Sequence, residues 1–204
     1  MTAMTYDSLV QDLQDYCERS DDPFVNQIPR FIQLAENRIA SEIKPLGYVR
    51  TVTGTLNNNI LPKPVRWRRT KNLCLIIGAT RKHLYNRGYE FLRNYWPDVS
   101  KTDVPYYYSD YDYEHMFVVP TPAIPYQFEM QYYELPEPLS STKQTNWTTQ
   151  YAPQLLLYAT LMEAMPFLKT SERIAEFQGL YDRALSSVTK EDQLRAIDST
   201  AVRG

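Results

Sequence analysis

The sequence predicts an α+β protein: an antiparallel helical bundle formed by N- and C-terminal helices, with a small antiparallel β subdomain inserted between them. Two changes of hydrophobic period carry this expectation. Residues 1–47 and 148–198 repeat their apolar side chains every three or four positions, the spacing of a helix face. Residues 48–147 instead hold short β-branched and aromatic runs between turn formers, the pattern of strands. Proline is the third observation. Seven of the 14 prolines fall between Pro97 and Pro138, and proline suits the edges and turns of small sheets rather than central strands. Residues 199–204 follow as a flexible C-terminal tail.

Thr5 is placed to cap a first helix, with Asp7 in its first turn and an apolar stripe of Tyr6, Leu9, Val10, Leu13, Tyr16 and Cys17. The turn formers Ser20-Asp21-Asp22-Pro23 should end it. A second helix then begins near Asn26 or Gln27, because Pro29 fits a first turn but not an interior. Its residues Ile28, Phe31, Ile32, Ala35, Ile39 and Ile43 share one face that needs a cover. Pro45 and Gly47 stop it.

In the middle, Val49–Leu56, Leu73–Ile77, Tyr106–Tyr108, Glu114–Val119 and Tyr126–Leu135 read as strands, and Tyr89–Trp96 as two turns of helix. Thr148–Leu168 is apolar on nearly every side, so it is expected inside the bundle or between subunits. Pro153 lies in or near its first turn, and Pro166 should kink or end it. Thr170 or Ser171 then caps a last helix with the stripe Ile174, Phe177, Tyr181, Ala184 or Leu185, and Val188.

The charge balance, 22 basic against 24 acidic residues, argues against a generic nucleic-acid coat. It hides a local excess. Between Arg50 and Arg93 stand ten cations and one acid, Glu90. The densest part holds Arg66, Arg68, Arg69 and Lys71, candidate contacts to an anionic partner such as phosphates or an acidic protein patch. The bland alternative is a solvated face balanced by acidic helices. Tyrosine is biased too: 12 of 17 lie between Tyr85 and Tyr151. Tyr106, Tyr107, Tyr108, Tyr111 and Tyr113 are candidates for a partner interface, with β core or a sugar-binding platform as alternatives.

Catalytic signals are absent from the sequence. The two histidines and two cysteines show no zinc spacing, and the six glycines form no phosphate loop. No metal or cofactor is expected. Cys17 and Cys74 make no disulfide framework, which fits a reducing compartment. The N-terminus shows no basic or apolar signal region. Leu155–Leu168, broken by Thr160, Glu163 and Pro166, is too short and polar to span a membrane. Glu36 and Glu163 sit in apolar helices and as buried carboxylates could do glycosidase-type acid–base work. The alternative is that each faces solvent or pairs with an arginine, and no enzyme is expected.

Several strings, in order and spacing, resemble bacteriophage head-to-tail adaptor (connector) proteins. They are Thr5-Tyr6-Asp7-Ser8-Leu9, the run from Ile28 to Ile39, Phe117-Val118-Val119-Pro120-Thr121-Pro122, the run from Tyr132 to Ser140, Thr145-Asn146-Trp147, and the run from Leu155 to Ala164. The resemblance implies a structural virion protein at the portal–tail junction, made in the host bacterial cytoplasm. It implies a homo-oligomeric ring, commonly of twelve subunits, that docks on the portal, meets tail or nozzle proteins and surrounds the DNA exit channel. Contact with passing DNA would be non-specific, with no membrane involved. On this resemblance the tyrosines become a subunit or tail interface. Leu194, Arg195, Ile197, Val202 and Arg203 become a portal-docking tail. The alternatives are a peptidoglycan hydrolase, for which no active-site motif is present in the sequence, and a basic DNA-binding module of a phage particle.

Overall fold

A computed structural model describes residues 3–169 and 173–198. The chain is mixed α+β, with mainly antiparallel sheets. It begins with helices α1 (Tyr6–Cys17), α2 (Asp22–Val25) and α3 (Ile28–Glu42), then a single 3-10 turn at Leu46–Tyr48. Strands β1 (Val49–Leu56), β2 (Ile60–Pro62), β3 (Trp67–Ile77), β4 (Thr80–His83) and β5 (Tyr85–Asn86) follow, then helix α4 (Tyr89–Tyr95). Next come β6 (Thr102–Asp103), β7 (Tyr107–Asp110), β8 (His115–Val119), β9 (Thr121–Pro122) and β10 (Tyr126–Glu134). Helices α5 (Trp147–Tyr151), α6 (Pro153–Leu168) and α7 (Ile174–Asp198) complete it. The chain divides into two compact units, one running up to Tyr48 and resuming at Leu135, the other spanning Val49–Glu134.

In the helical unit, Thr5 and Ser8 form a reciprocal capping box at the start of α1. The first helix ends before the turn formers at residues 20–23 as expected, and the structure adds a one-turn helix, α2, because Pro23 is pre-set for a first turn. Its Phe24 drops into the core and meets Phe31 and Phe167 at ring-centroid distances of 6.1 and 6.2 Å. All six residues of the expected α3 stripe are buried. At roughly 1.5–3 kcal/mol for each large aliphatic side chain removed from water, this face is a main source of the unit's stability. Its cover is α6, which also packs against α1, α5 and α7. Buried residues fall all around α6, as expected of a helix apolar on every side. Its buried Thr160 hydroxyl donates to the Leu156 carbonyl at 2.7 Å.

One expectation fails locally here. The predicted single helix over Thr148–Leu168 is broken at Ala152, since Pro153 has no N–H and opens a new helix. Pro166 does not end α6, which runs on to Leu168 and stops where Lys169 turns left-handed (φ 56°). The candidate caps Thr170 and Ser171, and the tail 199–204, lie outside the described residues.

The β unit stacks two four-stranded sheets, ordered β1-β10-β3-β4 and β2-β8-β7-β5, with a small parallel β6-β9 pair. The short β5–β7 pairing is also parallel. Strand β10 alternates cleanly: Tyr126, Phe128, Met130 and Tyr132 all point into the inter-sheet core. Opposite Phe128 stands Gly54 of β1, where an added Cβ would lie 2.9 Å from the ring. Strand β8 is buried on both faces. Met116 and Val118 enter the inter-sheet core, while Phe117 and Val119 pack with Leu92 of α4. This double burial explains why its sequence is a continuous apolar run rather than an alternation.

Candidate interaction surfaces

The basic stretch lies on β3, which starts at Trp67 rather than near Leu73. Arg66 precedes it in a left-handed conformation (φ 60°). Strand β3 pairs with β10 through two register shifts, one between Gln131 and Tyr132 and one between Tyr133 and Glu134. Each shift leaves one extra residue on β3, first Lys71 and then Arg68, as a β-bulge does. The core-facing residues of β3 are therefore Leu75, Leu73, Thr70 and Trp67, with spacings of two, three and three. Trp67 Nε1 donates to Thr70 Oγ1 at 3.1 Å and holds the bulged segment in place. A strand whose inward residues come every third position leaves two of three to solvent, and Arg68, Arg69 and Lys71 are all exposed.

Four of the neighbouring cations, Arg50, Lys63, Arg66 and Arg81, already pair with carboxylates. Arg50 and Arg66 reach the two oxygens of Glu134 at 3.3 and 3.4 Å. Arg81 makes a two-pronged pair with Glu129 at 3.2 and 3.1 Å, which holds the Glu129 carboxyl below its ordinary value. Lys63 reaches Asp110 at 2.8 Å and lies over the Trp67 ring at 4.1 Å. Lys82 sits 3.4 Å above the Tyr106 ring, and Arg93 lies over Tyr89 and Phe117. Among the described residues, Arg68, Arg69 and Lys71 have no carboxylate partner. The structure separates the four predicted residues, with Arg66 committed to Glu134 and three cations left open.

The five predicted tyrosines separate as well. Tyr108 is core, 6% exposed. Tyr107 is half-buried beneath α4, where its ring meets Phe91 and Tyr95 edge-on at 5.3 and 5.0 Å. Tyr106 and Tyr111 are about half exposed, and Tyr113 in the β7–β8 loop is 84% exposed. Sequence reasoning missed their companions on α4. Phe91 and Tyr95 stack at 5.9 Å and 13°, and both are exposed, as is Tyr89. Their i, i+4 spacing opposite the buried Leu92 was the available signal. Together with Tyr106, Tyr107 and Tyr111 they form an aromatic surface, the type of side chain that dominates protein interfaces.

In the helical unit the two suspected carboxylates have structural partners. Glu163 accepts from Arg38 Nε at 2.7 Å. Glu36 accepts from Asn146 Nδ2 at 2.7 Å and from the Leu139 N–H at 3.2 Å. Burial pushes the Glu36 carboxyl up to about 7, against the opposing pull of those two donors. Asn146 also caps α5 through Thr149. Trp147 then lies so close to Gly47 that an added Cβ would fall 2.1 Å from Nε1, and its ring meets Tyr48 edge-on at 5.3 Å. Tyr48 is hydrogen-bonded to Thr148 at 3.0 Å, and burial raises its hydroxyl to about 12. Both oxygens of Glu36 are thus spent on holding the returning chain at residues 139–146. No group of three or more His, Cys, Asp or Glu residues could hold a metal among the described residues. No helix among them is long and apolar enough to cross a membrane.

Of the predicted C-terminal docking residues, Leu194 is 63% exposed on α7 and Arg195 pairs with Glu191. Ile197 falls in the last turn of α7, while Val202 and Arg203 lie outside the described residues. Nearby, a cavity of about 540 Å³ is bordered by Leu46, Gly47, Trp147, Tyr151 and Asp192, with Asp192 accepting from the Leu46 N–H at 3.0 Å.

No curated protein matches the chain. A family model described as SU10 adaptor protein matches residues 4–203. That span takes in both compact units and every string on which the adaptor resemblance rested. The chain therefore belongs to the SU10 adaptor protein family, a family of phage head-to-tail adaptors.

Proposed function

We propose that the protein is the ring-forming adaptor of a tailed phage, docking on the portal, joining it to the tail or nozzle proteins at the virion neck, and surrounding the DNA exit channel. The observation that carries this reading is the family match across residues 4–203. In this reading the N- and C-terminal helices form a bundle into which the β subdomain is inserted, and twelve copies close the ring. A closed ring of identical subunits needs two different surfaces on each copy. The aromatic surface around α4 and Tyr106, Tyr107 and Tyr111 suits a neighbouring subunit or a tail protein. The C-terminal residues Leu194, Arg195, Ile197, Val202 and Arg203 are assigned to the portal. Arg68, Arg69 and Lys71 supply a surface for an anionic partner. DNA passing through the channel needs only weak, non-specific contact, because tight binding would hinder its exit.

The test is to mix purified protein with portal particles and image the complex by cryo-electron microscopy, alongside the necks of intact virions. A ring of density beneath the portal that fits this fold is expected. Absence of the chain from virions, together with no association with portal particles, would overturn the proposal.

A further inference from the structure

We propose that Arg68, Arg69 and Lys71 of one copy dock on the acidic C-terminal end of α1, Asp15 and the cap residue Glu18, of a second copy of this chain. The proposal rests on the ring reading above and names residues that would close the ring.

The free cations are one half of the argument. The two bulges of β3 turn them to solvent, and the carboxylates that reach β3 and its surroundings are spent on Arg50, Arg66, Arg81 and Lys63. The other half lies on the helical unit. Between Asp7 and Asp22 stand six carboxylates and one cation, Arg19, and Arg19 is held by Asp21 through bonds of 2.6 and 2.7 Å. Gln11 and Asp15, four apart, share one stripe of α1, and Glu18 follows as its left-handed C-cap (φ 52°); all three are exposed. The only hydrogen-bond partner of the Asp15 carboxylate among the described residues is the Gln11 amide, at 3.0 Å. The carboxyl of nearby Asp12 is raised by its partial burial and by the Asp15 charge, a sign of uncompensated negative potential.

Charge is segregated between the two units in the same sense. Val49–Glu134 holds eleven cations against eight acids, and the rest of the chain holds eleven against sixteen. The dimensions agree too. Residues 68–71 of a strand extend about 10 Å, and Gln11 to Cys17 of a helix rise about 9 Å. Phosphates would also satisfy three cations, but they would leave the acidic end of α1 unmatched. A second copy satisfies both surfaces, and because the two differ the contact is head-to-tail, the kind that closes into rings.

A charge exchange tests this. One variant carries Arg68→Glu with Arg69→Glu, and another carries Asp15→Lys with Glu18→Lys. All four sites are exposed, and lysine near the end of α1 suits the helix dipole, so thermal melts near wild type are expected and serve as the folding control. Assembly on portal particles is read by native mass spectrometry and electron microscopy. Each variant alone should need roughly tenfold or more protein to assemble. An equimolar mixture should recover, with both chains present in equal number, and so should a chain carrying all four changes. Wild-type assembly by either variant alone, or no recovery in both the mixture and the fourfold variant, would overturn the proposal. Intact rings with lost DNA retention in the Arg68→Glu, Arg69→Glu variant would assign the surface to nucleic acid and leave the ring reading standing. Failure of the wild-type chain to form any ring would overturn that reading itself, and the proposal with it.

Discussion

Replacing Glu36 by glutamine should change how stability depends on pH, and the direction follows from the burial of this carboxyl. Its ordinary value of 4.5 rises to about 7 in the folded chain. Below pH 4.5 the group is protonated whether the chain is folded or not. Between 4.5 and 7 the unfolded chain loses the proton while the folded chain keeps it, so stability falls as pH rises. Above 7 the loss is complete and constant. The rise from 4.5 to about 7 corresponds to about 3 kcal/mol, an upper bound because the group retains some exposure. Glutamine cannot ionise, so it escapes this loss. It offers only one acceptor oxygen, however, where Glu36 takes donors from both Leu139 and Asn146, and one unsatisfied donor costs about 1 kcal/mol. The Glu36→Gln variant should therefore be less stable than wild type by roughly 0.5 kcal/mol at pH 4.5, about equal near pH 5, and more stable by up to about 2 kcal/mol at pH 8. Urea unfolding of both proteins from pH 4.5 to 8.5 measures the difference and cancels the other titrating groups. Parallel profiles without a crossing would refute the reasoning.

Gly47→Ala should destabilise by about 1–3 kcal/mol, since Trp147 must leave a position 2.1 Å from the new methyl; thermal melts with tryptophan fluorescence would show both the loss and the altered environment. Tyr181→Phe removes the 2.6 Å hydrogen bond from the buried phenol to Glu42, and chemical denaturation should report a loss of about 1.5–3 kcal/mol. If Arg68, Arg69 and Lys71 are what meets polyanions, binding to heparin or duplex DNA should follow the logarithm of salt concentration with a slope of about −2.7, against about −9 if all ten cations of the segment took part. Arg68→Ala with Arg69→Ala should bring that slope to about −1, measured by fluorescence anisotropy across a salt series.

The helices were legible because one physical rule governs them. The stripe from Ile28 to Ile43 has the spacing of a buried face, and burial follows from spacing wherever a cover exists. The all-round apolar character of α6 likewise marked the element that others surround. Strand positions were legible where residues alternate, as in β10, and where a β-branched run is buried twice, as in β8. What stayed hidden depends on partners distant in sequence. Glu36 could be suspected of burial from its helix, but its bonds come from Leu139 and Asn146, over a hundred residues away. Three of the strings that carried the adaptor resemblance contain junctions of this kind, at Glu36, at Glu134 and Leu139, and at Asn146 and Trp147. Asn146 and Trp147 fasten the returning chain onto Glu36 and Gly47, and Glu134 gathers Arg50 and Arg66.

The basic stretch shows why a candidate surface is harder to read than a core. Summed along the sequence, ten cations and one acid describe a strongly positive segment. The acids that neutralise it, Asp110, Glu129 and Glu134, arrive on later strands, so no window centred on the cations could include them. The charges left over are selected by register. Without bulges β3 would alternate strictly, and Lys71 would share the inward side of Leu73 and Leu75 with nothing to pair its ammonium. The bulge at Lys71 places Thr70 inward and turns Lys71 and Arg69 to solvent, and the bulge at Arg68 keeps that side chain outward and restores Trp67 to the inward side. A charged side chain in the core would cost far more than a lost ladder bond, so bulging is the cheaper solution for this sequence. The same residues that force the bulges are thus the ones the bulges expose, which ties the local folding of β3 directly to the surface it offers a partner.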